Sequence, residues 1–450
     1  MASKTASASG HLSTGKLLAL SWPILVPMIS QNLRLVVDIA MLGRLGHEGL
    51  AAQGVTIYLA MLLLAPLYAL DSPVQAAVSR AEGATDNEAA NRAIKAALVL
   101  GVFGGTLYGL ALWGLAGPLT KLVIHDHSVQ QAGYHYLQPI LITAPFAGIV
   151  STFYGYWLAK GRTIINLLVD AAMQVTNLFA AYILIFGKFG LPSLGIQGAG
   201  IAMAISTSVG AILYILVSRD VAFPKISNSL WLIRSESEVI SMTWHNVRFA
   251  IQSYALFVLL YFIVQSTGTL QLASFSVLMN LASFLVYPAQ AFATAAATLA
   301  GKAIGEGKPH IATAWAVRAL QLCVVVTGIL GAPFWLFPNE VLFALTGSQE
   351  IARLAQAETR VLGITIVFTA LGFGISGLLM GTGGANRARR INFVTQGVLL
   401  VPIALIAGPL LGFGLMGIWL GLGASRVLAA VLLWREWRDW QRTGFALAHG

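Results

Sequence analysis

Of 450 residues, 57% are apolar and only 10% are Asp, Glu, Lys or Arg, against about 25% charged in ordinary soluble domains. That excludes a soluble globular protein. A hydrocarbon core of about 30 Å takes roughly 20 apolar residues in a helix, and the apolar runs here are long and continuous, unlike the short alternating segments of a β-barrel. The net charge of +10 is spread over short connections with no aromatic-basic stripe, so no nucleic-acid partner is expected.

Taken in chain order, charge-depleted segments fall at 17–42, 50–76, 96–118, 136–159, 164–187 and 195–218. A second six follow at 244–266, 272–299, 312–337, 358–381, 391–411 and 413–434. The organisation expected is an N-terminal tail (1–16), a first lobe (17–218), a polar linker (219–243), a second lobe (244–434) and a C-terminal tail (435–450). With the N-terminus in the cytoplasm, 21 Lys and Arg lie on that side, five on the other and Arg34 inside a span. The positive-inside rule then places both termini in the cytoplasm of a multi-pass inner-membrane protein. The first run reads as an uncleaved helix, not a signal peptide. Cys323 lies in an apolar run and reads as a buried filler.

The halves align at an offset of 222 residues, with identities at Pro66/Pro288, Gly83/Gly305, Gly155/Gly377, Gly161/Gly383 and Gln174/Gln396, among others. A duplicated six-helix unit is the reading. An even number of spans per unit makes the repeats parallel, related by an axis along the membrane normal. The fold class predicted is an all-α polytopic membrane protein: 12 transmembrane helices in two pseudo-symmetric six-helix bundles around a central cleft. Alternating-access transport suits this arrangement; a channel or an inert scaffold is the bland alternative.

Charges inside spans mark function by default. Asp38, toward the end of the first span, is the leading candidate for a protonation or cation site, and its repeat counterpart is the apolar Leu260. Arg34 lies one helical turn away, so a simple salt bridge is the competing explanation; contact with an anionic substrate is a third. In the fifth span Asp170, Gln174 and Asn177 share one face, and Asn177 is the deeper cavity candidate. Asp71 stands beside Ser72 and Pro73 at the end of the second span. Tyr254, Tyr261, Gln265, Asn280 and Gln290 in the second half are candidate substrate contacts, with helix packing the ordinary use of such residues. Pro23 and Pro27 permit a bend in the first helix. Trp434, Trp437 and Trp440 among arginines suggest an amphipathic tail at the inner interface. His125 and His127 are too few to argue for a metal. No phosphate-binding glycine loop is present, so no cofactor is expected and uphill transport would draw on an ion gradient.

The stretch Pro-Ile-Leu-Val-Pro-Met-Ile-Ser-Gln-Asn-Leu (23–33), followed by Val-Val-Asp-Ile-Ala-Met-Leu-Gly-Arg-Leu-Gly (36–46), resembles the first-helix signature of the multidrug and toxic compound extrusion (MATE) family. The resemblance continues through Lys-Gly-Arg-Thr (160–163), Leu-Gly-Ile-Gln-Gly-Ala-Gly (194–200) and Gly-Lys-Ala-Ile-Gly-Glu-Gly-Lys-Pro (301–309), and covers essentially the whole chain. It implies cation-coupled export of amphipathic, often cationic compounds by a monomer in the bilayer, through rocking of two lobes. It also implies that Asp38 and Asn177 belong to the N-lobe ion site, and that the first helix bends near Pro23. Two positions depart from the family site: Ala181 stands where a second acid is expected, and Met203 where a Thr is. The second-lobe acids of the sodium-coupled branch are missing too, so the pattern is closer to the DinF-like branch, and protons are favoured over sodium. A lipid-linked precursor flippase, a dedicated natural-product exporter and Na+-coupled antiport stay open as alternatives.

Overall fold

The computed structural model describes residues 13–43, 47–123, 127–219, 221, 237–266, 269–346, 349–381 and 384–447. Every regular element among these residues is helical. Ten helices are long and apolar enough to cross a membrane, and the pair Val129–Ile142 and Ala144–Lys160, bent by 55°, makes an eleventh span. The helix Thr14–Gly43 occupies the first predicted span. Large apolar side chains such as Leu107, 74% exposed, and Ile329, 67% exposed, stand on the outer surface of these helices. Lipid tails are the solvent such a surface requires.

The chain divides into two compact units. One is Val26–Ala250; the other joins Met1–Leu25 to Ile251–Gly450. The first helix runs without a break through both prolines, and the chain passes from one unit to the other between Leu25 and Val26, which lie between Pro23 and Pro27.

In the first unit, helix Ala144–Lys160 packs against Asp71–Gly83, and Thr163–Phe186 against Gly195–Val217. Local chemistry sets the ends of these elements. The Asp86 carboxylate accepts the Ala89 amide at 2.9 Å and starts helix Asn87–Val99, satisfying an amide the helix cannot. Gly161, at φ 75°, ends Ala144–Lys160: its amide donates to Leu158 O and that of Arg162 to Trp157 O, both at 3.0 Å. A residue with a Cβ would be strained there, which is why the Lys-Gly-Arg-Thr segment carries glycine. In the second unit, Thr269–Gly305, Pro309–Leu336 and Gln356–Gly381 pack mutually around a core that includes Phe275, Leu278, Ile366 and Ile418.

The duplication is visible in the closest helix contacts. A Cβ on Gly155 would collide with the backbone of residue 71, and one on Gly377 would lie 3.1 Å from the Cβ of residue 293; 377 − 155 and 293 − 71 are both 222. Likewise a Cβ on Gly109 would meet residue 144 at 2.6 Å and Leu141 O at 2.9 Å. One on Gly331 would meet residue 366 at 2.7 Å and Gly363 O at 3.1 Å, again at the 222-residue offset. Small residues let helix backbones approach where lipid supplies no hydrophobic drive, and both units use them at the same crossings.

Three features differ from expectation. The predicted second span, 50–76, is broken at Ala69–Leu70 between helices His47–Tyr68 and Asp71–Gly83. The last helix does not stop near 434 but continues to Leu447, and Trp437 is fully buried against the protein. Arg34 is not the only basic residue within the bounds of the predicted spans: Arg248, Arg318, Arg360 and Arg426 also fall inside them, and Arg426 stands 12 residues into its helix. Cys323 is buried, as its surroundings imply, with its thiol directed at Ala289 O at 3.6 Å.

Candidate functional site

The polar residues of the first unit fall into two groups. On the first helix, Arg34 Nη1 lies 3.6 Å from Asp38 Oδ2, and the two side chains are 14% and 12% exposed. Four residues of separation puts them on one face, and the expected salt bridge forms. It is incomplete. The distance exceeds a good charge-assisted hydrogen bond of about 2.7–2.9 Å, and both Asp38 Oδ1 and Arg34 Nε are buried with no partner. Asn177, on helix Thr163–Phe186, is 2% exposed and its Oδ1 likewise has no partner. Buried polar atoms left this way are costly in a packed protein; such atoms suit a site that exchanges an ion or a ligand.

The second group centres on Tyr154. Tyr154 lies on helix Ala144–Lys160, which packs against both Asp71–Gly83 and Thr163–Phe186, the helices that carry Asp71 and Asp170. Asp71 opens its helix and accepts the Ser72 amide at 2.5 Å. Asn166 donates to Tyr154 O at 3.0 Å and accepts from the Tyr214 hydroxyl at 3.0 Å. Asp170 is half-buried and, among the described residues, has no ion-pair partner. Gln174, half-buried, sits between Asp170 and Asn177 on the same helix.

The second unit repeats this arrangement in neutral form. At the 222-residue offset, Tyr154, Asp170 and Gln174 correspond to Ser376, Asn392 and Gln396. There Asn392 donates to Ser376 Oγ at 3.2 Å and Gln396 donates to Asn392 Oδ1 at 2.8 Å. At one of these positions the first unit thus carries a carboxylate, Asp170, where the second carries the amide Asn392. Glu358 is an exception missed by sequence reasoning: it is 6% exposed in the first turn of helix Gln356–Gly381, where a helix start favours a negative charge.

Of the candidate substrate contacts, Tyr254 is half-buried, while Tyr261 and Asn280 are exposed. The Asn280 amide donates to its own helix at Ser276 O, 2.8 Å. The Gln265 side chain lies outside the described residues, as do His125 and the loop beside it. Gln290 lines a cavity of the second unit with Arg426. No group of three or more His, Cys, Asp or Glu suited to a metal occurs among the described residues.

A duplicated all-helical chain with long apolar spans and an exposed apolar surface defines a class of polytopic integral membrane proteins. The family model MatE matches residues 23–183 and 247–406, so the chain belongs to the MATE family of transporters. It is 25% identical over 444 residues to "Probable multidrug resistance protein NorM" of Thermotoga maritima, covering 93% of this chain and 90% of that one. It is 22% identical to "Uncharacterized transporter YisQ" of Bacillus subtilis, with 96% of each chain covered. Among solved structures, the Vibrio cholerae MATE transporter VcmN in its bent form superposes with a TM-score of 0.83 at 21% identity, over 96% of this chain and 98% of that chain. A MOP-superfamily transporter from Pyrococcus furiosus superposes with a TM-score of 0.85 at 20% identity, over 97% and 96%. These likenesses establish the fold.

Proposed function

We propose that the protein is a secondary active exporter of amphipathic, often cationic organic compounds, working by proton-coupled antiport and alternating access in the cell inner membrane. Multidrug resistance is the role in the name of the Thermotoga maritima relative. The observation that carries proton coupling is the incomplete Arg34–Asp38 pair: a buried carboxylate with one oxygen toward Arg34 and the other without a partner. Protonation of Asp38 would remove the attraction that holds Arg34, and deprotonation would restore it, so one proton changes the balance of charge on the first helix.

Sodium suits these residues less well. It needs several hard oxygen ligands, whereas Ala181 and Met203 occupy the positions where the family site carries an acid and a threonine. The same residues favour the DinF-like branch. Excess Lys and Arg on one set of connections supports cytoplasmic termini, and each chain holds both units, which supports a monomer.

Proteoliposomes loaded with a fluorescent lipophilic cation separate the two ions. A pH jump at equal sodium on both sides drives efflux under this reading. Efflux driven by a sodium jump at fixed pH would reverse the choice of ion.

A further inference from the structure

A cavity lies wholly within the second unit and encloses about 640 Å³ of space outside the protein atoms, its open mouth included. Its polar lining includes Gln290, Trp419 and Arg426 together with the hydroxyl residues Ser283, Tyr287, Thr365 and Thr369, with Phe373 beside the arginine. No Asp or Glu lines it. Arg426 stands 12 residues into the helix that begins at Gly414, well inside a span. Its guanidinium lies over the Phe373 ring, 5.5 Å from the centroid, and among the described residues it has no carboxylate partner.

Intramembrane cations pair with an acid, reach for the interface or serve a ligand. Arg426 does not pair, and it stands mid-helix against the cavity. Among the described residues the guanidinium has the Phe373 ring as a neighbour and no ion-pair partner, and a guanidinium can hold a carboxylate or phosphate in a two-bond fork. A second donor points the same way: Trp419 Nε1 is buried without a partner and its ring lines the same cavity. Val286, Leu362 and Ile366 supply an apolar wall.

From this geometry we infer that the second unit holds a binding site for an amphipathic organic anion, its carboxylate or phosphate on Arg426 and Trp419 and its apolar body against the aliphatic wall. The charge is not inherited from the duplication. At the 219-residue offset that aligns Gly198 with Gly417, Arg426 corresponds to Thr207. The site stands apart from the transport reading; only the step from bound ligand to exported cargo rests on it, and binding is measured without transport.

The test uses the full-length protein purified in a neutral detergent, with dansylglycine as the probe, its methyl ester as the uncharged control and dansyl emission sensitised by tryptophan as the signal. Wild type should bind the carboxylate at least tenfold more tightly than the ester. Arg426→Gln should erase that preference while leaving ester binding unchanged, and Arg426→Lys should keep part of it. Equal binding of acid and ester by wild type would overturn the proposal, whatever the variants do. So would an Arg426→Gln protein that retains the tenfold preference. If Arg426→Gln does not fold, Trp419→Phe takes its place, with an expected loss of about threefold for the acid alone; an unchanged preference there counts against the site. Competition with short-chain phosphatidylglycerol, against phosphatidylcholine as the control, assigns the source of the anion: displacement makes it a lipid headgroup, and no displacement a dissolved amphiphile.

Discussion

Arg34 and Asp38 stand 3.6 Å apart on one face of the first helix, and each keeps a buried polar atom with no partner. The pair is close enough to hold both charges in the interior and too loose to satisfy them. Removing one member of a buried pair leaves the other charge uncompensated, at a cost of about 3–5 kcal/mol. Arg34→Gln should therefore lower the thermal midpoint in detergent clearly, and the double variant Arg34→Gln/Asp38→Asn should recover most of the loss. Differential scanning fluorimetry of the four proteins reads this coupling; additive losses would show that the two side chains act independently.

The glycine crossings give a graded prediction. A methyl group at Gly155 would meet the backbone at Asp71, whereas one at Gly377 would meet only the Ala293 methyl at 3.1 Å. Backbone cannot yield as a side chain can, and overpacking of this kind costs about 1–3 kcal/mol. Gly155→Ala should reduce the yield of monodisperse protein and its melting temperature, and Gly377→Ala should do so less, despite their equivalent places in the repeat.

Asp170 and Asn392 occupy equivalent positions, and the amide already works in the second unit, bonded to Ser376 and Gln396. Asp170→Asn should fold with a melting temperature at or above that of the wild type, because it replaces a half-buried carboxylate, without an ion-pair partner among the described residues, by a neutral group. A marked loss of stability would mean that the charge at Asp170 is itself structural.

Cys323 is fully buried. A membrane-permeant maleimide should leave the native protein unlabelled and modify it stoichiometrically once it is unfolded in SDS. The natural chain would then serve as a silent background for cysteines introduced at Gln290 or Ser283, which line the cavity of the second unit.

How much of this was legible in the sequence varies by element. Long apolar runs specify spans because the bilayer thickness fixes their length, and the repeat followed from glycines and prolines in register; Gly155 and Gly377 prove to be crossing points. Asp38 and Arg34 were readable as a pair because both sit on one helix, four residues apart. Tyr154 with Asp71 and Asp170 was not, since that neighbourhood assembles three helices and periodicity speaks only within one. The charge count leaves Arg34 alone inside a span although Arg426 falls within the predicted span 413–434; counting charges by side of the membrane hides it, and the cavity wall reveals it. The break at Ala69–Leu70 falls just before Asp71, Ser72 and Pro73, a polar, proline-bearing mark that is legible in the sequence although hydropathy averaged over the span runs through it.

The central claim is that a proton on Asp38 drives export. The most direct measurement is efflux of a fluorescent lipophilic cation from proteoliposomes under an imposed pH gradient, with sodium equal on both sides, comparing wild type with Asp38→Asn at matched protein incorporation. The account predicts gradient-driven efflux by the wild type and a loss of at least tenfold in Asp38→Asn, which cannot exchange the proton. Undiminished pH-driven efflux by the variant would contradict it.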